Sequence, residues 1–199
     1  MSEEHQAPGR IAELLVHIGR AARTEDGRSE LTAAQWACLR FLARANGSTR
    51  TPSGFASFQA TTRGTASQII KSLETRGLVI RAQAKRDRRS VALDLTETGR
   101  AMLARDPLRD TIDVVAGLGP GAREKFLETL SHLASALAAR RNAPAFGCCR
   151  DCGHYGTSGS AGYCACMAAE LAADETGKLC ASYMPRPGPL NEGERHGTD

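Results

Sequence analysis

A mainly α fold with a small β-wing and an irregular Cys-rich tail is what this 199-residue sequence predicts. Three observations carry that prediction. Apolar residues recur at helical spacing in successive stretches up to about residue 140, and two short apolar runs flank a cationic connection. Six of the seven cysteines then fall between Phe146 and Pro185, where Gly and Ser replace aliphatic residues. The length suits one medium domain with an appendage, since domains most often run to about 100–150 residues. No apolar stretch approaches the roughly 18–20 residues of a membrane-spanning helix, and Met1 to Gly9 lacks the charged-then-apolar order of a signal peptide. A soluble, cytoplasmic protein is therefore expected. Thiols are kept reduced in that compartment, so clustered cysteines point to metal or redox chemistry rather than structural disulfides.

Arg10 to Arg23 places Ile11, Leu14, Leu15 and Ile18 on one face of a first helix. Thr32 followed by Gln35 has the spacing of a capping box, and it opens a second helix carrying Trp36, Leu39, Phe41 and Leu42. Asn46-Gly47 ends it. Thr51-Pro52-Ser53 starts a short third helix, with Pro where a missing amide hydrogen costs least. After Thr61-Thr62, two candidate caps, Ala66, Ile69, Ile70 and Leu73 draw an apolar stripe. The opposite face then holds Gly64, Gln68, Lys71 and Thr75, with Ser67 beside them. Gly77 supplies a left-handed stop. Leu78-Val79-Ile80-Arg81 reads as a strand, and Val91, Leu93 and Leu95 alternate with polar or small residues as a second strand with one buried face. Thr96 caps a helix through Ala101, Met102 and Leu103 that Asp106-Pro107 kinks or restarts. After Gly119-Pro120-Gly121, residues Phe126, Leu127, Leu130, Leu133, Ala134 and Leu137 define a last long helix to about Arg140.

Charge is unevenly placed along the chain. Between Thr61 and Arg100 stand nine Lys/Arg against four acids, whereas from Asn142 onward four basic residues face seven acidic ones. The middle is thus basic, the footprint of phosphate-backbone binding, although a solvated basic face without a partner would look the same by charge alone.

Three short helices followed by a two-stranded wing make a winged helix-turn-helix. The runs Thr51-Pro52-Ser53, Thr62-Arg63-Gly64-Thr65-Ala66-Ser67, Leu73-Glu74-Thr75-Arg76-Gly77-Leu78-Val79, Asp87-Arg88-Arg89-Ser90-Val91 and Leu95-Thr96-Glu97-Thr98-Gly99 follow in an order that resembles the MarR (multiple antibiotic resistance regulator) family, from about residue 10 to residue 140. The resemblance implies a homodimer joined through its first and last helices, bound to a roughly palindromic operator in double-stranded DNA, with a small-molecule inducer pocket between dimerising and DNA-binding lobes. It implies that residues 62–76 form the recognition helix, where Arg63, Thr65, Ser67, Gln68 and Lys71 are the candidate contacts. Gln can pair bidentately with adenine and Arg with guanine, while Lys71 suits phosphate. In the wing, Lys85, Arg86, Asp87, Arg88 and Arg89 form a cationic tip. Its Asp87-Arg88-Arg89 matches the family's Asp-x-Arg element, with Arg89 expected at the minor groove and Asp87 orienting a neighbouring arginine. The plainer alternative makes Asp87 an exposed ion pair, worth about 0–1 kcal/mol. The chain departs from the family at Asp106-Pro107, which interrupts a helix that ordinarily runs on into the dimer interface.

The implied organisation is a dimerisation helix over 1–28, the winged helix-turn-helix over 29–100, dimerisation helices over 101–141, a Cys-rich tail over 142–185 and a disordered end over 186–199. The tail has too little aliphatic content for its own core, so it requires a staple. Cys149-Arg150-Asp151-Cys152 is a C-x2-C knuckle, and Cys164 and Cys180 complete four thiolates able to hold zinc or an iron–sulfur cluster. Similar cysteine tails occur in some bacterial MarR-like regulators. Cys148 and Cys166 could substitute for Cys149 and Cys164 or act as resolving thiols, and His154 could ligate or donate to a sulfur. Free thiols that form disulfides on oxidation are the alternative to metal. Cys38, beside Trp36 and Leu39, reads as a small buried hydrophobe.

The function expected is a DNA-binding transcriptional regulator, a repressor rather than an activator, whose output the tail can adjust. Two rivals remain: an iron–sulfur electron-transfer or redox protein with a vestigial DNA-binding core, and a non-specific DNA binder. No Gly-rich phosphate loop, Gly-x-Ser-x-Gly elbow or His-Glu-x-x-His helix suggests an enzyme, and the five histidines are scattered.

Overall fold

Local capping chemistry sets where each helix of the central lobe begins. A computed structural model describes residues 3–22, 29–83, 91–158 and 161–186. Helix α1 spans Glu3–Ala21 and so begins before the expected Arg10, incorporating Pro8. Helix α2 is Ala33–Arg44, opened by a complete capping box. The Gln35 amide donates to Thr32 Oγ1 at 3.3 Å while Gln35 Oε1 accepts from the Thr32 amide at 2.9 Å. Thr51 and Thr62 cap α3 (Pro52–Phe58) and α4 (Arg63–Thr75) in the same way, each hydroxyl accepting one otherwise unpaired amide. Gly77 ends α4 with φ +68, as anticipated from the left-handed stop.

The wing is an antiparallel pair, β1 (Val79–Gln83) and β2 (Val91–Leu95), in register with Val79 opposite Leu95 and Gln83 opposite Val91. The first strand therefore starts one residue later and runs two residues further than its sequence pattern suggested. Leu93 and Leu95 are buried but Val91 is exposed, because the far end of the ribbon extends past the helices that cover its root. Leu39, Phe41 and Leu42 of α2, Phe55 of α3, Ile70 and Leu73 of α4, Val79 and Leu93 together form one closed core. Each such side chain contributes on the order of 1.5–3 kcal/mol by leaving water.

Thr96 caps α5 (Glu97–Met102), which passes through a 3-10 turn (Leu103–Arg105) and stops at Asp106. Asp106 Oδ1 accepts from the Leu108 amide at 2.9 Å, and its other oxygen pairs with Arg40 Nε at 3.2 Å. Asp106-Pro107 thus restarts the chain as α6 (Leu108–Ala116), and α7 (Pro120–Arg140) follows. The arm helices differ sharply from α2–α4: neither α6 nor α7 buries a residue, and no described residue of α1 is buried.

The tail is less irregular than its composition suggests. It forms β3 (Gly147–Cys148), a 3-10 turn (Cys149–Asp151), β4 (Tyr155–Ser158), β5 (Ala161–Cys164), β6 (Ala169–Leu171) and β7 (Leu179–Cys180). Strands β4, β5 and β6 make an antiparallel sheet, while β3 pairs with β7. In addition, Phe146 and Leu179 pack against the central core, so the tail borrows apolar contact that it cannot supply itself.

Candidate nucleic-acid interface and cysteine cluster

Helix α4 has two chemically distinct sides. Ala66, Ile70 and Leu73 are fully buried, and Ser72 Oγ accepts from Gln35 Nε2 at 2.9 Å, pinning the inner side to α2. The outer side exposes Arg63, Thr65, Ser67, Gln68 and Lys71, so all five candidate contacts on this helix share solvent access. Thr65 Oγ1 lies 2.9 Å from Thr62 Oγ1, which places that hydroxyl pair at the helix start.

Counter-charges are arranged elsewhere. Glu74, the acid of α4, turns to Arg81 at 2.8 Å, and Asp94 takes both Arg50 at 2.9 Å and Arg100 at 2.8 Å. Among the described residues no carboxylate pairs with Arg63 or Lys71. The exposed face of α4 is therefore cationic with amide and hydroxyl groups between its charges, suited to phosphate and base edges. The wing-tip candidates Lys85, Arg86, Asp87, Arg88 and Arg89 lie outside the described residues.

The four expected thiol ligands are the buried cysteines of the tail, and the two spare thiols are more accessible. Cys149, Cys152 and Cys180 are each 5% exposed and Cys164 is 8%, whereas Cys148 is half-buried and Cys166 exposed. Burial first, then the neighbouring thiols of Cys180, Cys164, Cys152 and Cys148, push the Cys149 pKa up to about 11. Cys152 Sγ accepts two backbone amides, from His154 and Met184, both at 3.4 Å. His154 thus contributes its main-chain N–H to this sulfur. Among the described residues, no three His, Cys, Asp or Glu side chains stand at spacing able to hold a metal ion without movement. Cys38 is wholly buried, and burial raises its pKa to about 12, in keeping with a packing residue.

The sequence reading missed the junction between tail and helix-turn-helix. The Asn46 amide donates to Leu179 O at 2.9 Å, and the Ala181 amide donates to Thr49 Oγ1 at 2.8 Å. Cys180 stands between those two tail residues. Asn46 and Thr49 are 5% and 2% exposed, so the loop joining α2 to α3 buries polar groups whose partners come from the tail. Phe146 completes the contact edge-on to Phe58, ring centroids 5.2 Å apart. The available signal was faint: two hydrogen-bonding side chains in a loop read only as a helix terminator.

A cleft of about 600 Å³ opens between α2, the end of α3 and the start of α6, lined among others by Arg40, Phe41, Arg44, Phe58 and Leu108, with Leu179 of the tail at its edge.

Residues 29–90 match the sequence model of the MarR family. The HTH-type transcriptional regulator YdcH of Bacillus subtilis is 33% identical over 90 residues, covering 45% of this chain and 61% of that protein. TtmR of Methylorubrum extorquens, also an HTH-type transcriptional regulator, is 32% identical over 124 residues, 62% of this chain and 63% of its own length. The chain thus spans a little under two thirds of each of these relatives. In the solved structures, Streptococcus pneumoniae FabT in complex with DNA has a similar fold, with TM-score 0.51 and 18% identity over 69% of this chain and 99% of that one. With the three capped helices, the wing and the exposed polar face of α4 in place, the helix-turn-helix region of this chain is similar to the MarR family over the matched residues 29–90.

Proposed function

We propose that this chain is a homodimeric, sequence-specific DNA-binding transcriptional regulator that acts as a repressor. The observation that carries this reading is the outer face of α4, where Arg63 and Lys71 are exposed without carboxylate partners among the described residues while the inner face is locked into the core. A rigid helix so mounted can enter a major groove with its side chains already positioned. FabT, which shares the fold, is solved in complex with DNA, and this supports the same mode of use here. Arg63, Thr65, Ser67 and Gln68 are assigned to base edges and adjoining backbone, Lys71 to phosphate. Lys85 to Arg89 are assigned to the flanking groove, with Asp87 orienting an arginine.

The dimer reading rests on the arm. Ile11, Val16, Ile112, Val114 and Leu127 are all more than half exposed, and the helices that carry them leave their apolar stripes uncovered. A second copy would cover them and set two α4 helices on half-sites about one helical turn apart. Repression follows from occupancy, because a dimer spanning two such half-sites excludes polymerase from an overlapping promoter. The cleft between α2, α3 and α6 is the inducer site in this reading. Arg44 on its wall favours an anionic small molecule, Arg40 beside it being paired with Asp106. The tail, holding zinc or an iron–sulfur cluster, adds a second input.

The test is competition between DNA from the protein's own upstream region and random duplex at fixed salt. Wild-type protein should prefer its own region by at least about a thousandfold. Arg63→Ala should lower that affinity on the order of tenfold or more. Equal affinity for both duplexes, or an Arg63→Ala variant indistinguishable from wild type, contradicts the proposal.

A further inference from the structure

The four buried cysteines and the α2–α3 loop are joined through one strand. Cys180 belongs to β7, and its neighbours on both sides bind the loop: Leu179 O accepts from the Asn46 amide, and the Ala181 amide donates to Thr49 Oγ1. The loop in turn bonds to the wing, since Arg50 O accepts from the Leu93 amide at 2.7 Å. Acidic residues add to the grip, with Glu175 Oε2 accepting from the Gly47 amide at 3.1 Å. The partner strand behaves likewise: Gly147 pairs with Cys180 in β3–β7, next to Phe146 on Phe58 at the end of α3. Any force that fixes Cys180 therefore fixes both ends of the turn on which α3 and α4 are mounted.

We propose that Cys149, Cys152, Cys164 and Cys180 bind one thiophilic metal centre through four thiolates, and that the bound centre clamps Leu179–Ala181 onto the 45–50 loop, holding the helix-turn-helix in its binding geometry. Several independent features support the ligand set. These four cysteines are the buried ones of the tail, while Cys148 and Cys166 are left outside. Cys152 Sγ is held in place by two backbone amides, those of His154 and Met184. The tail has no aliphatic core of its own to hold those sulfurs inward, so a cation bonding all four explains why a Gly-Ser-rich segment buries them. The sulfurs must draw together on binding, and each ligating thiol releases its proton as the metal–sulfur bond forms. Zinc and an iron–sulfur centre share this ligand chemistry. The consequence for operator affinity rests on the DNA-binding reading above, whereas the site and its clamp do not.

The experiment uses full-length protein purified without air. Metal and acid-labile sulfide are measured together with visible absorbance. Amide exchange at Asn46 and Ala181 is then followed by NMR before and after metal removal by a chelator. One zinc per chain without sulfide, or iron with equivalent sulfide and visible absorbance, supports the site and distinguishes the two centres. Chelation should accelerate exchange at Asn46 and Ala181 by on the order of tenfold or more, because their partners are freed. Cys180→Ser should lose the metal, while Cys166→Ser should retain it with exchange as in wild type. Protein that stays without metal after reconstitution with zinc, or with iron and sulfide, overturns the site. Exchange at Asn46 and Ala181 that is indifferent to metal removal overturns the clamp. Both readouts are independent of DNA, so loss of operator binding alone would indict the functional reading and not this one.

Discussion

Phe41, Phe55 and Ile70 in the helix-turn-helix lobe are at most 1% exposed, while Ile11, Leu127 and Val114 on the arm helices are 57%, 66% and 76% exposed. Both regions are helical and both carry regular apolar stripes, yet only one closes a core within a single chain. In the lobe the stripes of α2, α3 and α4 meet one another and the root of the wing, so hydrophobic burial is complete without help. On the arm the stripes of α1, α6 and α7 face outward. Neither α6 nor α7 buries a residue within the chain, so their large apolar side chains stand open to a partner surface. In the proposed function, self-sufficiency in the lobe and exposure on the arm correspond to different tasks: one presents α4, the other recruits a second copy.

That contrast can be broken at either side. The largest effect is expected in the lobe, where Phe55→Ala should cost about 3–5 kcal/mol by opening a cavity against Phe41, whose ring centroid lies 5.6 Å away. Urea unfolding followed by Trp36 emission reads this directly, since Trp36 is the single tryptophan and is 4% exposed. A loss below about 1 kcal/mol would mean that the lobe core is loosely packed.

Closure of the lobe also predicts a reactivity difference. Burial pushes Cys38 up to about 12, so its thiolate fraction at pH 8 should lie roughly a thousandfold below that of an ordinary exposed thiol. Iodoacetamide at that pH should modify Cys166 readily and spare Cys38 until the protein is denatured, as read by peptide mass spectrometry. Early labelling of Cys38 would show that the lobe opens far more often than its packing implies.

On the arm, Leu127→Glu should leave Trp36 emission unchanged while dissociating the assembly in sedimentation. DNA affinity should fall on the order of a hundredfold as one half-site's contacts are lost. An oligomeric state untouched by this substitution would place the partner surface elsewhere.

Much of the lobe was legible because its determinants are local. Thr32 with Gln35, Thr51 before Pro52, Thr62 before Arg63 and Gly77 each specify a boundary through a bond spanning only a few residues, and the capped starts and the left-handed stop fall as the spacing implies. The two faces of α4 were equally readable from periodicity. Val91 was not, since alternation reports which side of a strand is apolar and not how far the covering helices reach. The tail junction was hidden for another reason: the bond from Ala181 to Thr49 joins residues 132 positions apart, and neither hydroxyl nor amide announces its partner. As for the cysteines, spacing grouped Cys149, Cys152, Cys164 and Cys180, and the fold separates these buried four from Cys148 and Cys166.

Stoichiometry on DNA tests the central claim most directly. Sedimentation of the protein with a short duplex from its own upstream region, paired with hydroxyl-radical footprinting, reads both the number of chains and the spacing of their contacts. Two chains per duplex with protections centred about 10–11 base pairs apart is the expected result. A single chain on the duplex, or saturation without discrete protected patches, would contradict the account.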